Sequence, residues 1–477
     1  MLLWLALMAF PSADSTEITP GFDFIKIGNS SASPISIGFK TPDLVAADYQ
    51  LGGLQSADAW TQCAKKLKKD GTRLSLFGHS ADDAQPDAAR DDSADGAALV
   101  YVADTLDHRT DVGRILKKAE GDWRSIPFDL RGYPAVFSVL QSASIVLLTG
   151  IQWAGLSDEQ KRVTKLAIAG GLNLVVTAPF SQEAAESLRR SFGVTFEGRV
   201  RPETVDLGQG RVELSHYALN LKSFDGSLLQ AKKRVVAAYK AIGLGQLRLV
   251  GLPLQPLAGS QLAAAILESE RAAVRMAEEW LVNNHSIETE RRNPLGLWPW
   301  FAVLGLGVFA ILARRRLVIF SVGVCIWAAV SLCLPSTDDV LIGDAATSII
   351  VSADDTQQIA LTRVSSVSIR GGDSVVDYSG GHSSLISARG AQICLLGLAD
   401  TRIWFVKSNA SARQTFTIAH SVPAAEYGED RLETIDGQVG TPFEGAIIRR
   451  VRKAVPLPLK MPIKDHRVVA LQRTLNP

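Results

Sequence analysis

The stretch SIVLLTGIQWAGLSDEQKRVTKLAIAGGLNLVVTA, residues 144–178, decides the fold class. Ser144–Thr149 is an apolar run of buried-strand length, and Leu172–Ala178 is a second one. Between them, Ser157-Asp158-Glu159-Gln160 has the S-x-x-Q pattern of a capping box, in which Ser157 and Gln160 satisfy each other's main-chain donors. Val163, Leu166 and Ala167 supply the apolar face of the helix that follows, and Gly170-Gly171 stops it. Apolar strands without polar alternation, separated by a helix, indicate a parallel sheet covered on both faces.

The pattern continues outward in both directions. Upstream, Ala98–Ala103 reads as a strand and Val112–Ala119 as a helix. Downstream, a polar-capped helix runs over Ser181–Phe192, followed by a strand at Arg211–Tyr217, a helix over Leu228–Ile242 and a strand at Leu247–Leu252. A helix over Gln261–Asn284 ends this region. The expectation is a three-layer α/β domain over residues 97–290. Residues 337–477 switch to β signals: Ile349–Ser352, Ile359–Thr362, Ser374–Tyr378, Ile393–Leu396, Ile403–Val406, Phe416–Ala419 and Ala446–Val451 recur between polar turns. They predict a C-terminal β-sandwich domain.

Leu295–Ala313 and Leu317–Pro335 are free of charged residues, and only Arg314, Arg315 and Arg316 separate them. A bilayer core ~30 Å thick takes ~20 apolar residues, so residues 295–335 read as two transmembrane helices with an arginine turn. The positive-inside rule puts that turn in the cytoplasm, with Trp298 and Trp300 in the opposite interfacial belt. Met1–Phe10 is apolar and followed by small residues, so residues 1–15 read as a signal peptide. Together these features predict a two-pass protein of a bacterial inner membrane with both large regions periplasmic. Residues 16–96 form a β-rich region (Phe22–Ile27, Ile35–Phe39, Leu74–Phe77) ending in an acidic linker at 81–96. Asp91, Ser93, Asp95 and Gly96 imitate the opening of a calcium loop, but position twelve is Val102, and the segment reads as a solvated linker.

Composition narrows the function classes. Fifty Lys+Arg against 49 Asp+Glu leave a net charge of +1, which excludes the basic excess of a nucleic-acid binder. A mean hydropathy of +0.12 points to a membrane-embedded part. Four cysteines among 477 residues exclude a disulfide-stapled scaffold. Cys325 and Cys333 lie in the second span, while Cys63 and Cys394 stand alone in their regions, and a bridge between those two is left open.

The string at residues 127–176, from Pro127 through the LS-x-x-Q opening to Gly170-Gly171-Leu172-Asn173-Leu174-Val175-Val176, resembles class I glutamine-amidotransferase-like domains of bacterial membrane proteins. That resemblance implies a flavodoxin/amidotransferase-like parallel sheet, followed by transmembrane helices and a β domain. It also implies a nucleophilic Cys on a sharp elbow after the strand at Leu172–Ala178, with a downstream base. Here the elbow reads Val176-Thr177-Ala178-Pro179-Phe180-Ser181 and has no cysteine. Ser181 and His216 are the remaining nucleophile and base candidates. A helix N-cap for Ser181 and a strand histidine for His216 are the ordinary reading, so the domain reads as degenerate and non-enzymatic.

Other chemistry is sparse. The P-loop, H-E-x-x-H, C-x-x-C and G-x-S-x-G motifs are absent. Asp104, Asp107, His108 and Asp111 follow the first strand of the domain, where α/β sheets bind ligands, and form the candidate ligand site. A solvated loop and helix N-terminus is the alternative for them. Ser379-Gly380-Gly381-His382-Ser383 reads as a flexible turn, and Arg449, Arg450, Arg452, Lys453, Lys460, Lys464 and Arg467 as a solvated basic face. No cofactor and no metal are expected. The expected partners are the lipid bilayer and other membrane or envelope proteins. The functional expectation is a non-catalytic, membrane-anchored, extracytoplasmic scaffold or binding protein, an accessory subunit of a larger assembly. The alternatives are an envelope hydrolase or transferase acting at the sheet edge, and a ligand sensor.

Overall fold

Ser157 caps the helix Asp158–Ala169: its hydroxyl accepts from the Gln160 main-chain N–H at 3.2 Å, and Gln160 Oε1 accepts from the Ser157 N–H at 2.8 Å. Asp158 and Glu159 in the first turn complement the helix dipole. Ser157→Ala is expected to lower stability by about 1 kcal/mol in urea unfolding, with Ser157→Asp close to wild type. Equal stability of the alanine variant would show the cap to be idle.

The computed structural model describes residues 137–207 and 211–253 without a break. Elsewhere it describes the helices and strands named below, with residues 357, 382, 423, 457 and 461. The N-terminal region forms β1 (Pro20–Gly28), β2 (Ile35–Thr41), β3 (Leu44–Leu51), β4 (Ser56–Ala64) and β5 (Ser75–Gly78). The central region starts with β6 (Ala98–Ala103), β7 (Trp123–Phe128), α1 (Phe137–Ser142), β8 (Ile145–Thr149) and α2 (Gly150–Gly155). Then come α3 (Asp158–Ala169), β9 (Asn173–Thr177), α4 (Gln182–Phe192), β10 (Phe196–Asp206) and β11 (Arg211–Leu219). It closes with β12 (Gly226–Ala231), β13 (Arg234–Ile242), β14 (Gly245–Val250), α5 (Gln261–Ile266) and α6 (Ala272–Asn283). The C-terminal elements are β15 (Val340–Ser352), β16 (Gln358–Ser365), β17 (Ser368–Arg370), β18 (Ser374–Tyr378) and β19 (Ser383–Arg389). They continue with β20 (Ala391–Leu398), β21 (Thr401–Ser408), β22 (Thr415–Val422), β23 (Ala446–Arg450) and β24 (Ile463–Arg473).

The central strands form a nine-stranded mixed sheet in the order β10-β11-β13-β14-β9-β8-β6-β7, with β12 on β13. From β14 to β7 the neighbours are parallel, and from β10 to β14 they are antiparallel. Alternate residues of the parallel strands feed two cores. Val146, Leu148, Leu174, Val176, Leu247 and Leu249 pack with α1, α2, α3, α4 and α6. Ile145, Leu147, Val175 and Val250 pack on the other face with Ala263 and Ile266 of α5. The α4 helix ends at Gly193, whose φ of 68° is the left-handed conformation in which a side chain is strained.

A seven-stranded sheet, β19-β22-β16-β15-β24-β23 with β17 on β15, lies on the far side of the helix layer. Here α1 meets β19, α3 meets β16, and α6 meets β15 and β16. One apolar cluster runs from Leu174 through Phe137, Leu166 and Ala277 to Ile349, Ile359 and Leu361. The arrangement is sheet, helices, sheet. A five-stranded sheet in the order β1-β4-β20-β21-β18 joins the two ends of the chain, and β3-β2-β5 forms a three-stranded sheet.

These observations correct the expected fold class. The flavodoxin/amidotransferase-like parallel sheet is instead a mixed sheet, because four antiparallel strands extend it past β14. Leu228–Ile242 is the hairpin β12–β13 rather than a helix: Lys232 and Lys233 turn the chain with φ of 51° and 113°, and Ala231 pairs with Arg234. The C-terminal strands are not a self-contained β-sandwich, since β20 pairs with β4 and β18 and β21 share its sheet. The transmembrane hairpin is likewise corrected. Among the described residues no helix is long and apolar enough to cross a membrane. The longest, α3 and α6, have 12 residues each, about 18 Å at 1.5 Å per residue, against a ~30 Å bilayer core. Residues 295–335, with Trp298, Trp300 and Arg314–Arg316, lie outside the described residues, as do residues 1–15. The two-pass inner-membrane placement therefore has no span among the described residues to carry it.

Candidate functional site

Ligands of open α/β sheets bind outside the carboxyl ends of the parallel strands, next to the strand where the order reverses. In this sheet β8, β9 and β14 end together, with Thr149 opposite Thr177 and Thr177 opposite Val250. Among the described residues, the edge after β8 and β9 is closed by local chemistry. Thr149 caps α2, its hydroxyl accepting from Gln152 N at 3.2 Å, while Gln152 Oε1 accepts from Thr149 N at 2.8 Å. Ser181 caps α4, its hydroxyl accepting from Ala184 N at 3.0 Å. Thr177 Oγ1 is buried and donates to the Leu148 carbonyl at 3.4 Å.

Aromatic packing fills the space between the caps. Phe180 lies so close to Gly150 that a Cβ on that glycine would stand 2.2 Å from Phe180 Cδ1. Its ring packs on Phe196 at 4.8 Å and edge-on to Tyr217 at 5.3 Å, and Tyr217 donates to the Phe180 carbonyl at 2.9 Å. Trp153, fully buried, packs on Phe192 at 5.1 Å. At each helix start one donor, Gln152 N at α2 and Ala184 N at α4, is already met by the capping hydroxyl.

Two polar assemblies lie elsewhere. At the seam between α3 and β19, Arg162 chelates Glu159 through Nε at 2.7 Å and approaches His382 Nε2 at 3.0 Å. A guanidinium only donates, so His382 Nε2 is the acceptor in this contact. His382 Nε2 also lies 4.0 Å from Glu159 Oε1. The Arg162 hydrogen bond holds the Glu159 carboxyl below its ordinary range. Nearby, Ser387 of β19 donates to Glu278 of α6 at 2.7 Å, a second polar link across the seam.

The second assembly crosses four strands of the seven-stranded sheet. His466 Nε2 lies 2.8 Å from Ser348 Oγ, Ser348 Oγ 2.8 Å from Thr362 Oγ1, and Thr362 Oγ1 2.9 Å from His420 Nε2. Ser348, Thr362 and His420 are buried, and only His466 is half-exposed. Burial pushes the His420 imidazole down to about 3 and lowers that of His466, so both rings are neutral at pH 7. A serine between a histidine and a hydroxyl suggests a nucleophile, but an attacking oxygen must reach substrate. Ser348 has no exposed surface, and the chain acts as a hydrogen-bonded spine of the sheet.

Of the residues expected to carry chemistry, Ser181 and His216 are the described ones. Asp104, Asp107, His108 and Asp111 begin directly after Ala103, the last residue of β6, where the strand order reverses, and they lie outside the described residues. Ser181 is a helix cap, and His216 is buried on β11 in register with Val200 of β10. His382, expected in a flexible turn, instead accepts from Arg162. Sequence reasoning also missed Arg248, 3% exposed on β14, whose Nη1 donates to the Ala265 and Ile266 carbonyls at 3.0 and 2.7 Å at the end of α5. A buried cation at a helix C-terminus is favourable, but no local motif announces it. Among the described residues no group of three His, Cys, Asp or Glu is placed to hold a metal.

No protein-family model matches the chain, and no curated protein does. Solved structures give remote likenesses. One is the exo-beta-1,4-mannosidase Op5Man5 from Opitutaceae bacterium strain TAV5, at 13% identity over 35% of this chain and 34% of that one, with a TM-score of 0.26. Another is the mmIFT52 N-terminal domain, at 10% identity over 38% and 96%, with a TM-score of 0.25. A third is a two-domain M1 zinc metallopeptidase, at 11% identity over 28% and 34%, with a TM-score of 0.17. The chain thus spans about a third of the mannosidase's length. At such scores these likenesses assign neither fold nor function.

Proposed function

We propose that this chain is a non-catalytic scaffold or binding protein that works as an accessory subunit of a larger assembly. The observation that carries this reading is the closed carboxyl edge after β8 and β9, where Thr149, Gln152 and Ser181 cap helices and Phe180 fills the gap beside Gly150. An enzyme of this sheet type leaves that edge open for substrate. The reading is further supported by the layered core, in which one apolar cluster ties both large sheets to the intervening helices.

The test is the mass of the intact particle. Tagged full-length chain, expressed in its own organism and purified gently, is expected to run as a complex with a second protein at a fixed ratio in native mass spectrometry. A lone monomer or homodimer would overturn the reading. So would stoichiometric labelling of Ser181 by a fluorophosphonate, since a capping hydroxyl is not an activated nucleophile.

A further inference from the structure

Two of the four cysteines, far apart in sequence, meet in the five-stranded sheet. In the antiparallel pairing of β4 with β20, Cys63 and Cys394 are direct Cα partners. The same ladder pairs Gln62 with Leu395 and Thr61 with Leu396, so the opposition follows from a continuous register. On its other side Cys63 pairs with Gly21 of β1, which presents no side chain, and Cys394 pairs with Phe405 of β21. Directly opposed antiparallel residues have Cα atoms about 4.5 or 5.5 Å apart, depending on the hydrogen-bonding class of the pair. Both values fall within the roughly 4.4–6.8 Å that a disulfide spans. Opposed residues also share one face of the sheet. Four cysteines scattered at random over 477 residues would rarely produce such a match.

We infer that Cys63 and Cys394 form a redox-responsive cross-strand disulfide that fastens the N-terminal strands to the C-terminal ones. The oxidant is an external disulfide such as glutathione disulfide. One protein thiolate attacks it, forming a mixed disulfide and releasing one glutathione thiolate. The second protein thiol then displaces the remaining glutathione. In net terms, two protein thiols and one glutathione disulfide become one protein disulfide and two glutathione thiols. The pair is the last of the β4–β20 ladder as registered, where a covalent link holds an end that main-chain hydrogen bonds leave least constrained. The closed loop spans roughly 330 residues, and a long loop is where a cross-link restricts the unfolded chain most.

The test uses the full chain, reduced and then equilibrated with glutathione disulfide. Alkylation followed by digestion and mass spectrometry is expected to recover the Cys63 and Cys394 peptides joined, with two fewer alkylated thiols than in the reduced protein. Proteolytic nicking anywhere between the two positions is expected to leave the fragments together on a non-reducing gel and to separate them after reduction. In Cys63→Ser, Cys394 is expected to become alkylatable and the nicked fragments to separate without reductant. Recovery of both peptides fully alkylated, or each capped by glutathione, would overturn the inference. Fragments of Cys63→Ser that stay together until reduced would overturn it as well.

Discussion

Phe137→Ala is expected to destabilise the protein by about 4 kcal/mol, with the loss felt in both large sheets. Phe137 has no exposed surface and opens α1 in the middle layer. Its ring lies tilted against His382, centroids 6.2 Å apart, on the seven-stranded side. Within the helix layer the end of α3 closes over it at Gly170, where a Cβ would stand 3.4 Å from Phe137 Cζ. Phe137 belongs to the apolar cluster that holds residues of both sheets, and a cavity in so closely packed a core puts its cost at the high end for large-to-small changes. Urea unfolding of the full chain measures the total. Hydrogen exchange locates it: amides of β9 and of β16 are expected to lose protection together. Ile151→Ala is the control, because Ile151 is 52% exposed and its truncation is expected to stay within about 0.5 kcal/mol of wild type. A loss confined to one sheet would show that the two do not share a core.

That shared core also explains what could be read from the sequence and what could not. Features determined within one turn of chain were legible. The Ser157–Gln160 box and the Ser181 cap are local exchanges of hydrogen bonds, and each is announced by residue types at fixed spacing. The apolar runs at Ile145–Thr149 and Asn173–Thr177 carried their burial in their composition. Leu228–Ile242 failed because its turn is made by Lys232 and Lys233 at positive φ, where Gly or Asn would have signalled a hairpin. The pairing of β4 with β20 was out of reach for a different reason. Register is chosen by partners that meet only after folding, and nothing near Cys63 in sequence refers to Cys394. The spine of Ser348, Thr362, His420 and His466 was invisible in the same way, since its members come from four strands. The aspartates and histidine after Ala103, the site the sequence favoured, lie outside the described residues.

That spine sets the second large effect, a loss of stability between pH 6.5 and 4.5 that is carried by histidine. His420 is fully buried, and its folded-state imidazole is held down to about 3, first by burial and also by His466, against a hydrogen bond to the Ser421 main chain that raises it. In the unfolded chain an imidazole titrates near 6.5. Between those limits the unfolded state binds more protons, so stability rises with pH there. His420 thus contributes fully above 6.5, and its contribution is lost as pH falls toward 3. The slope is about 1.4 kcal/mol per pH unit for one such group, or about 3 kcal/mol over the two units down to 4.5. His466, also lowered by burial, adds in the same direction. Carboxylates held low by arginine, Glu159 and Glu186, lose their contributions as pH falls through the ordinary carboxylate range and below it, so most of the window above 4.5 reads the histidines. Urea unfolding at pH 7.5, 6.5, 5.5 and 4.5 reads the slope directly. His420→Gln keeps a polar group for Thr362 and removes the titration. It is expected to start less stable at pH 7.5 and to lose stability more slowly on acidification, by about 1.4 kcal/mol per unit. An identical slope in wild type and variant would place the acid sensitivity elsewhere and leave the spine without a thermodynamic role.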